Sequence, residues 1–196
     1  MFPTIAFHGD FARPEHLQED AGDPPWVDLY ETYDDTNGYR NIATAGLVKR
    51  LKRFEKVILV GYSRGGDLIA WLSHQLQNIF AAVLYESPVL SARPTGRFPV
   101  MMCWNEESIR KPKWWQLLKN KRYEIAQNSI NLWGHNRKAA ELHGRGGHIK
   151  RVARPPLNRG HGWDVGLNQR IGNWIREQRL RVRVAKLEER HGVKNG

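Results

Sequence analysis

The stretch KVILVGYSRGG, residues 56–66, decides the fold of this chain. A run of strand-forming residues leads directly into Gly-x-Ser-x-Gly, and a helical pattern follows. A serine that attacks a carbonyl must stand clear of its own backbone, so the turn from strand to helix is tight, and Gly61 and Gly65 leave the space it needs. The stretch therefore predicts a nucleophile elbow with Ser63 at its tip. The next helix begins there, and its dipole favours an oxyanion bound by the backbone N–H of Arg64.

Other apolar runs along the chain also resemble strands, and helical patterns separate most of them. The predicted strands cover residues 2–7, 26–30, 56–60, 81–85, 99–104 and 148–152. The predicted helices cover residues 43–54, 67–80, 111–120 and 165–178. Residues 122–133 alternate enough to be a strand or an extended loop, and the sequence leaves the form of residues 180–190 open. The alternation of strands and helices predicts one α/β domain over residues 1–196 with a mainly parallel sheet.

The net charge of +11 is unevenly distributed along the chain. Residues 1–92 carry a net −4, whereas residues 93–196 carry +15. Much of this excess lies in a Trp-rich insertion at about 108–147 and in a C-terminal tail at about 180–196. Such a surface can attract nucleic acid, an anionic membrane or an acidic substrate, although a solvated basic face is the simpler explanation. Nucleic acid is therefore an alternative partner that the sequence does not favour.

Several classes of protein are disfavoured by what the sequence contains. No run approaches the roughly 18 apolar residues of a membrane span, and the first residues lack the pattern of a secretory signal, so we expect a cytoplasmic protein. Cys103 is the single cysteine, and its apolar neighbours predict a buried strand residue. The sequence has no Cys pairs, no His-Glu-x-x-His and no glycine-rich nucleotide motif. We therefore expect neither a metal nor a cofactor.

Three motifs together resemble those of the α/β-hydrolase superfamily of serine hydrolases. They are GYSRG at residues 61–65, HGDF at residues 8–11 directly after the first predicted strand, and GHGW at residues 160–163 before the last long predicted helix. The resemblance implies a compact α/β-hydrolase fold, with a mainly parallel sheet of about six strands flanked by helices. Because only residues 86–98 separate the fourth and fifth predicted strands, it implies no large cap domain.

The resemblance also implies a catalytic triad, in the chain order nucleophile, acid and histidine. Ser63 takes the place of the nucleophile. His161 is the expected general base because a strand-like segment precedes it and an amphipathic helix follows it, as in the family's last catalytic loop. His135 is its main rival among the other histidines.

The acid of this triad is expected to be a glutamate. No aspartate lies between Asp67 and Asp164, so a glutamate must serve if the family order holds. Glu107 is the first choice because the family usually places its acid a few residues beyond the start of the fifth strand. Glu106 beside it and Glu86, which follows the preceding strand, are the alternatives. A glutamate holds the histidine tautomer as well as an aspartate does if the loop allows one more methylene.

The remaining site residues also come from the resemblance. The second oxyanion donor would be the backbone N–H of Asp10. An aspartate departs from the family pattern here, and its carboxylate should point away because it would oppose the oxyanion. His8, Tyr62 and Trp163 are the expected substrate contacts.

We therefore expect a carboxylesterase-like serine hydrolase that cleaves a small-molecule ester or thioester through an acyl-enzyme on Ser63. An anionic substrate is one option, given the basic C-terminal half. Two alternatives stay open on the same sequence. One is an acyltransferase or amidase that uses the same triad, and the other is a non-catalytic basic module that binds nucleic acid or an anionic surface.

Overall fold

The computed structural model describes residues 2–7, 18, 22–95, 98–105, 121–142, 149–154 and 165–191. Within these ranges the strands are β1 Thr4–Phe7, β2 Leu29–Glu31, β3 Val57–Tyr62, β4 Ile79–Tyr85, β5 Val100–Asn105 and β6 Ile149–Arg154. The α-helices are α1 Ile42–Leu51, α2 Arg64–Leu72, α3 Lys121–Leu142 and α4 Asn168–His191. Short 3-10 segments cover Thr36–Tyr39 and Val165–Leu167.

All six strands belong to one sheet, in the order β2-β1-β3-β4-β5-β6, and every neighbouring pair is parallel. Parallel strands are covered on both faces, which is why the sequence shows continuous aliphatic runs rather than alternation. The predicted sheet of about six mainly parallel strands is confirmed. The chain runs from β1 outward to β2 and then returns to β3 on the other side of β1. In open α/β sheets, ligands bind at such a switch point, beyond the carboxyl ends of the strands.

The two faces of the sheet pack into two separate cores. On β3, Val57 and Leu59 point into the core formed with helices α1, α2 and α3. Ile58 and Val60 point the opposite way, into the core formed with α4. Successive side chains of a strand point to opposite faces, so one short run fills both cores. Cys103 lies in the second core and is fully buried, as the sequence predicted.

Two further contacts fix elements near the sheet. The side chain of Asn41 caps helix α1 by accepting from the backbone N–H of Thr44 at 2.8 Å. On the opposite side, Nη2 of Arg179 in α4 donates to the carbonyl of Phe2 and to Oγ1 of Thr4, each at 3.0 Å. The first strand is therefore bound to the last helix as well as to its neighbouring strands.

The connection from β4 to β5 has no helix in its described residues. Instead it runs along helix α2, where Oγ1 of Thr95 donates to the carbonyl of Ser73 at 2.8 Å. Nε2 of His74 lies 2.6 Å from the carbonyl oxygen of Arg93. The fold therefore has no large cap at this point, in line with the length of the connection.

Several boundaries predicted from the sequence were wrong. Helix α2 ends at Leu72 rather than near residue 80, because Ile79 and Phe80 start strand β4. Residues 122–133 form part of helix α3, not a strand or extended loop. Their buried apolar side chains recur at helical spacing, and they are Ala126, Ile130 and Trp133. Residues 180–190 continue helix α4, and the predicted helix at 111–120 lies outside the described residues.

Smaller shifts occur at two strands, where β2 covers Leu29–Glu31 instead of residues 26–30 and β6 covers Ile149–Arg154 instead of residues 148–152. Both strands lie at the edges of the sheet, where pairing on one side only defines the ends. Among the described helices, none has the length and apolar content that crossing a bilayer requires.

Candidate active site

Ser63 forms the whole turn between β3 and α2. Strand β3 ends at Tyr62 and the helix begins at Arg64. The backbone of Ser63 has φ 52° and ψ −122°. Residues other than glycine rarely adopt this conformation, which costs on the order of 1–3 kcal/mol. Its N–H donates to the carbonyl of Tyr85 at 2.9 Å, and its side chain does not cap the helix. The turn therefore holds the serine in a strained position, with its hydroxyl not used as a helix cap.

The two motif glycines permit this turn by close backbone contact. A Cβ on Gly61 would lie 2.5 Å from the carbonyl carbon of Gly65. A Cβ on Gly65 would lie 2.4 Å from the carbonyl oxygen of Phe7, the last residue of β1. Both separations are well inside van der Waals contact, so neither position accepts a side chain without a backbone shift. The spacing of the motif is thus a packing requirement of the elbow.

An ion pair lies next to Ser63. Nη1 of Arg64 donates to Oδ2 of Asp35, in the loop after β2. The Arg64 side chain is 42% exposed and the Asp35 side chain 14%, so the pair lies partly buried beside Ser63. The sequence did not suggest this pairing because the two residues are far apart in the chain. The pair connects the loop after β2 to the first residue of helix α2.

Glu86 is the one predicted acid that lies among the described residues. It directly follows β4, the strand next to β3, and its N–H donates to the carbonyl of Cys103 at 2.8 Å. The residue is only 5% exposed and has a φ of 46°. A buried carboxylate in a left-handed conformation is uncommon. The structure therefore places Glu86 at the same edge of the sheet as Ser63.

Asp67, in the first turn of α2, is a buried carboxylate that the sequence analysis did not identify as part of the site. It accepts hydrogen bonds from the hydroxyl of Tyr39 at 2.9 Å, from the N–H of Leu90 at 2.6 Å, and from the N–H of Ser91 at 2.8 Å. The hydroxyl of Ser91 donates to it as well. Burial, and then the adjacent Asp67 carboxylate, raise the pKa of Tyr39 above its ordinary value. Asp67 thus joins helix α2 to the loops after β2 and β4.

The signal that marks Asp67 in the sequence is its position. It is the fourth residue after Ser63 and is followed at once by Leu68 and Ile69, both fully buried. An ionisable residue so close to a buried helix face is rarely left without partners.

Several solved structures are similar to this chain in overall fold. Est1E from Butyrivibrio proteoclasticus is 13% identical, and the match covers 90% of this chain and 88% of that chain with a TM-score of 0.52. Esterase 2 from Thermogutta terrifontis is 12% identical, with coverage of 92% and 83% and a TM-score of 0.55. The chain has the α/β-hydrolase fold. No protein-family model and no curated protein sequence matches it.

In this α/β-hydrolase fold, most of the predicted partners of Ser63 lie outside the described residues. They are His8, Asp10, Glu106, Glu107, His161 and Trp163. Their roles stay predictions. The rival base, His135, lies within helix α3 rather than on a loop.

Tyr62 is described, and its side chain is only 5% exposed. Its ring lies 5.8 Å from that of Tyr85, in the core on the α4 side of the sheet. These contacts give the ring a packing role. The substrate contact expected for Tyr62 stays a prediction.

Proposed function

We propose that the protein is a serine hydrolase that cleaves a carboxylic ester or thioester through an acyl-enzyme on Ser63. The observation that carries this proposal is the backbone of Ser63, held at φ 52° between a strand and a helix at the switch point of the sheet. A strained conformation persists only where the surrounding structure enforces it, and such residues concentrate at catalytic sites. The α/β-hydrolase fold supports the same chemistry by analogy.

In the proposed reaction, Oγ of Ser63 attacks the carbonyl carbon while His161 takes its proton. The N–H groups of Arg64 and Asp10 bind the oxyanion that forms. Arg64 opens helix α2, so the helix dipole favours that negative charge. His161 returns the proton to the leaving alcohol or thiol, and water then attacks the acyl-enzyme with His161 again acting as base. Ser63 is regenerated and a carboxylic acid is released.

Glu86, Glu106 and Glu107 all remain candidates for the acid that orients His161. Burial and the position after β4 support Glu86, since an orienting carboxylate works best when water is excluded. Chain position beyond β5, which ends at Asn105, supports the other two. Separate replacements by glutamine distinguish them. Replacing the residue that acts as the acid should lower activity by about 10²–10⁴-fold, because the histidine is then left in the wrong tautomer. The other two variants should stay within about threefold of wild type.

Structures of the two similar esterases contain related ligands. Est1E has been solved with ferulic acid bound, and the Thermogutta enzyme with propionate bound. Both ligands are carboxylic acids, the product class of ester hydrolysis. The Thermogutta enzyme has also been solved phosphoramylated by tabun, which indicates reactivity toward phosphorus electrophiles. For this chain, these ligands suggest which substrates and probes to try first.

A fluorophosphonate probe tests the nucleophile directly. Wild-type protein should be labelled, and peptide mapping should place the adduct on Ser63. Ser63→Ala should abolish labelling, while Ser73→Ala at the other end of the same helix should retain it. Folded wild-type protein that stays unlabelled, or is labelled elsewhere, would show the proposal to be wrong. A panel of p-nitrophenyl esters then defines the acyl chain, and product analysis in the presence of alcohols or amines separates hydrolysis from acyl transfer.

A further inference from the structure

A groove of about 640 Å³ lies between the turn after β2, helix α2 and the loop after β4. Its lining includes Asn37, Gly38, Arg40, Trp71, His74 and Ser91. Pockets that hold small molecules in proteins typically measure about 300–1,000 Å³. Trp71 is eight residues beyond Ser63 on α2, so at about 1.5 Å per residue the groove is roughly 12 Å from the nucleophile along the helix. The groove is therefore distinct from the site of bond cleavage.

Trp71 provides an aromatic surface in this groove. The residue is partly buried, and its ring centre lies 5.8 Å from that of Tyr39 at an interplanar angle of 46°. Tyr39 is fully packed, and its hydroxyl is held by the Asp67 carboxylate. A ring that is supported by a second, fixed ring loses little conformational freedom when a ligand binds to its exposed part. The groove thus offers a pre-organised aromatic platform.

One wall of the groove has an unusual backbone. Asn37, Gly38 and Tyr39 are three successive residues with positive φ, at 52°, 59° and 68°. Left-handed residues other than glycine occur singly as a rule, because each one is strained. Here the strain is maintained by the anchored side chain of Tyr39. Strain of this kind is concentrated at ligand-binding and catalytic positions.

The rim of the groove is basic. Arg40 is exposed, and in the described part of the chain no hydrogen bond or ion pair engages its guanidinium. Nε2 of His74 is engaged by the carbonyl oxygen of Arg93 at 2.6 Å, so this ring nitrogen does not present a lone pair to the groove. Among the described lining residues, none has a carboxylate. An anion can therefore approach Arg40 without opposition from the groove itself.

From this combination we propose that the groove binds an aromatic carboxylate, with the ring over Trp71 and the carboxylate on the guanidinium of Arg40. The planar guanidinium matches a carboxylate with two parallel hydrogen bonds, and the indole face favours a flat ring. The proposal goes beyond ester hydrolysis and does not depend on it, because binding at this groove needs no reaction at Ser63.

A second groove, on helix α4, provides the matched control. It also contains an arginine and a tryptophan, Arg170 and Trp174, and measures about 440 Å³. It differs in having the carboxylate of Glu177 among its lining, and its tryptophan is buried. Repulsion from Glu177 and the lack of an exposed ring make this groove unsuited to an aromatic anion. Arg170→Ala removes a comparable charge and should leave binding unchanged.

The test is isothermal titration of the full chain with 2-naphthoate at low ionic strength. Cyclohexanecarboxylate and 2-naphthylmethylamine serve as ligands that lack the aromatic ring and the negative charge, respectively. Wild type should bind 2-naphthoate at least about tenfold more tightly than either control ligand. Arg40→Ala should weaken binding by about tenfold, and Trp71→Leu by a similar factor, whereas Arg170→Ala should change it by less than about twofold.

Three results would overturn the proposal. The first is equal binding of the amine and the carboxylate, and the second is an equal loss of binding in Arg40→Ala and Arg170→Ala. The third is failure of wild type to bind 2-naphthoate at millimolar concentrations. If Trp71→Leu does not fold, Arg40→Ala and Trp71→Phe complete the test, since Phe retains a flat ring and should keep most of the affinity. Fluorophosphonate labelling of Ser63 should be the same in Arg40→Ala and wild type, so failure here is separate from failure of the proposed hydrolase.

Discussion

Replacing Asp67 with alanine should be among the most damaging single substitutions near the elbow. The carboxylate is only 2% exposed and accepts from three residues on two loops. Without it, the buried hydroxyl of Tyr39 loses its acceptor, which costs about 1–3 kcal/mol. The N–H groups of Leu90 and Ser91 are partly buried and recover water in part, so each adds less, on the order of 0.5–1 kcal/mol. The free energy of unfolding should therefore fall by about 3 kcal/mol.

The assay for this prediction is urea denaturation followed by far-UV circular dichroism, with stability taken from the midpoint and slope. Glu31→Ala is the matched control, because it also removes a carboxylate with a bonding partner. The partner of Glu31 is the guanidinium of Arg50, at 2.8 Å. That pair is exposed, so its loss should cost no more than about 1 kcal/mol. If Asp67→Ala and Glu31→Ala destabilise the protein equally, the argument from burial and hydrogen bonding is refuted.

Two further substitutions test the elbow and its surroundings. Gly65→Ala places a Cβ 2.4 Å from the carbonyl oxygen of Phe7, so it should lower the free energy of unfolding by about 1–3 kcal/mol and abolish fluorophosphonate labelling. Gly46→Ala is the control, because its Cβ meets nothing nearer than 3.7 Å, and it should be neutral or slightly stabilising. Equal melting temperatures of the two variants would contradict this prediction. Because the pKa of Tyr39 is raised in the folded state, the unfolded chain loses this proton first, so stability is retained below about pH 10 and falls above it. Between pH 8 and 11 the free energy of unfolding should fall more steeply in wild type than in Tyr39→Phe, by up to about 1.4 kcal/mol per pH unit. Parallel curves for the two proteins would contradict the raised pKa of Tyr39.

The elbow could be identified from sequence because its chemistry is local. Gly61, Ser63 and Gly65 belong to one tight turn, and the geometry of that turn determines their spacing in the sequence. The strands were recognisable for a similar reason, since burial on both faces demands continuous aliphatic residues. The fold class and the position of the strand-turn-helix elbow could therefore be predicted from short segments.

Contacts between residues far apart in the chain could not be predicted from short segments. The role of Asp67 depends on donors more than 20 residues away in the chain, and the pairing of Arg64 with Asp35 spans 29 residues. Helix α3 was missed because most side chains between residues 121 and 133 are polar, and only a narrow stripe of them is buried. The end of α2 was misplaced because Ile79 continues its apolar spacing by coincidence.

The interior position of β1 has a consequence for how the protein folds. This strand pairs with β3 more than 50 residues later, and Arg179 bonds to Phe2 across a separation of 177 residues. Contacts of such long range require large loops to close before any of them is stabilised, which slows folding. The elbow rests against β1 through Gly65 and Phe7, so the strained serine turn should form only once β1 has paired with β3. The contacts of Arg179 can form only after helix α4 has been synthesised, so strand β1 should gain its last partners when that helix docks.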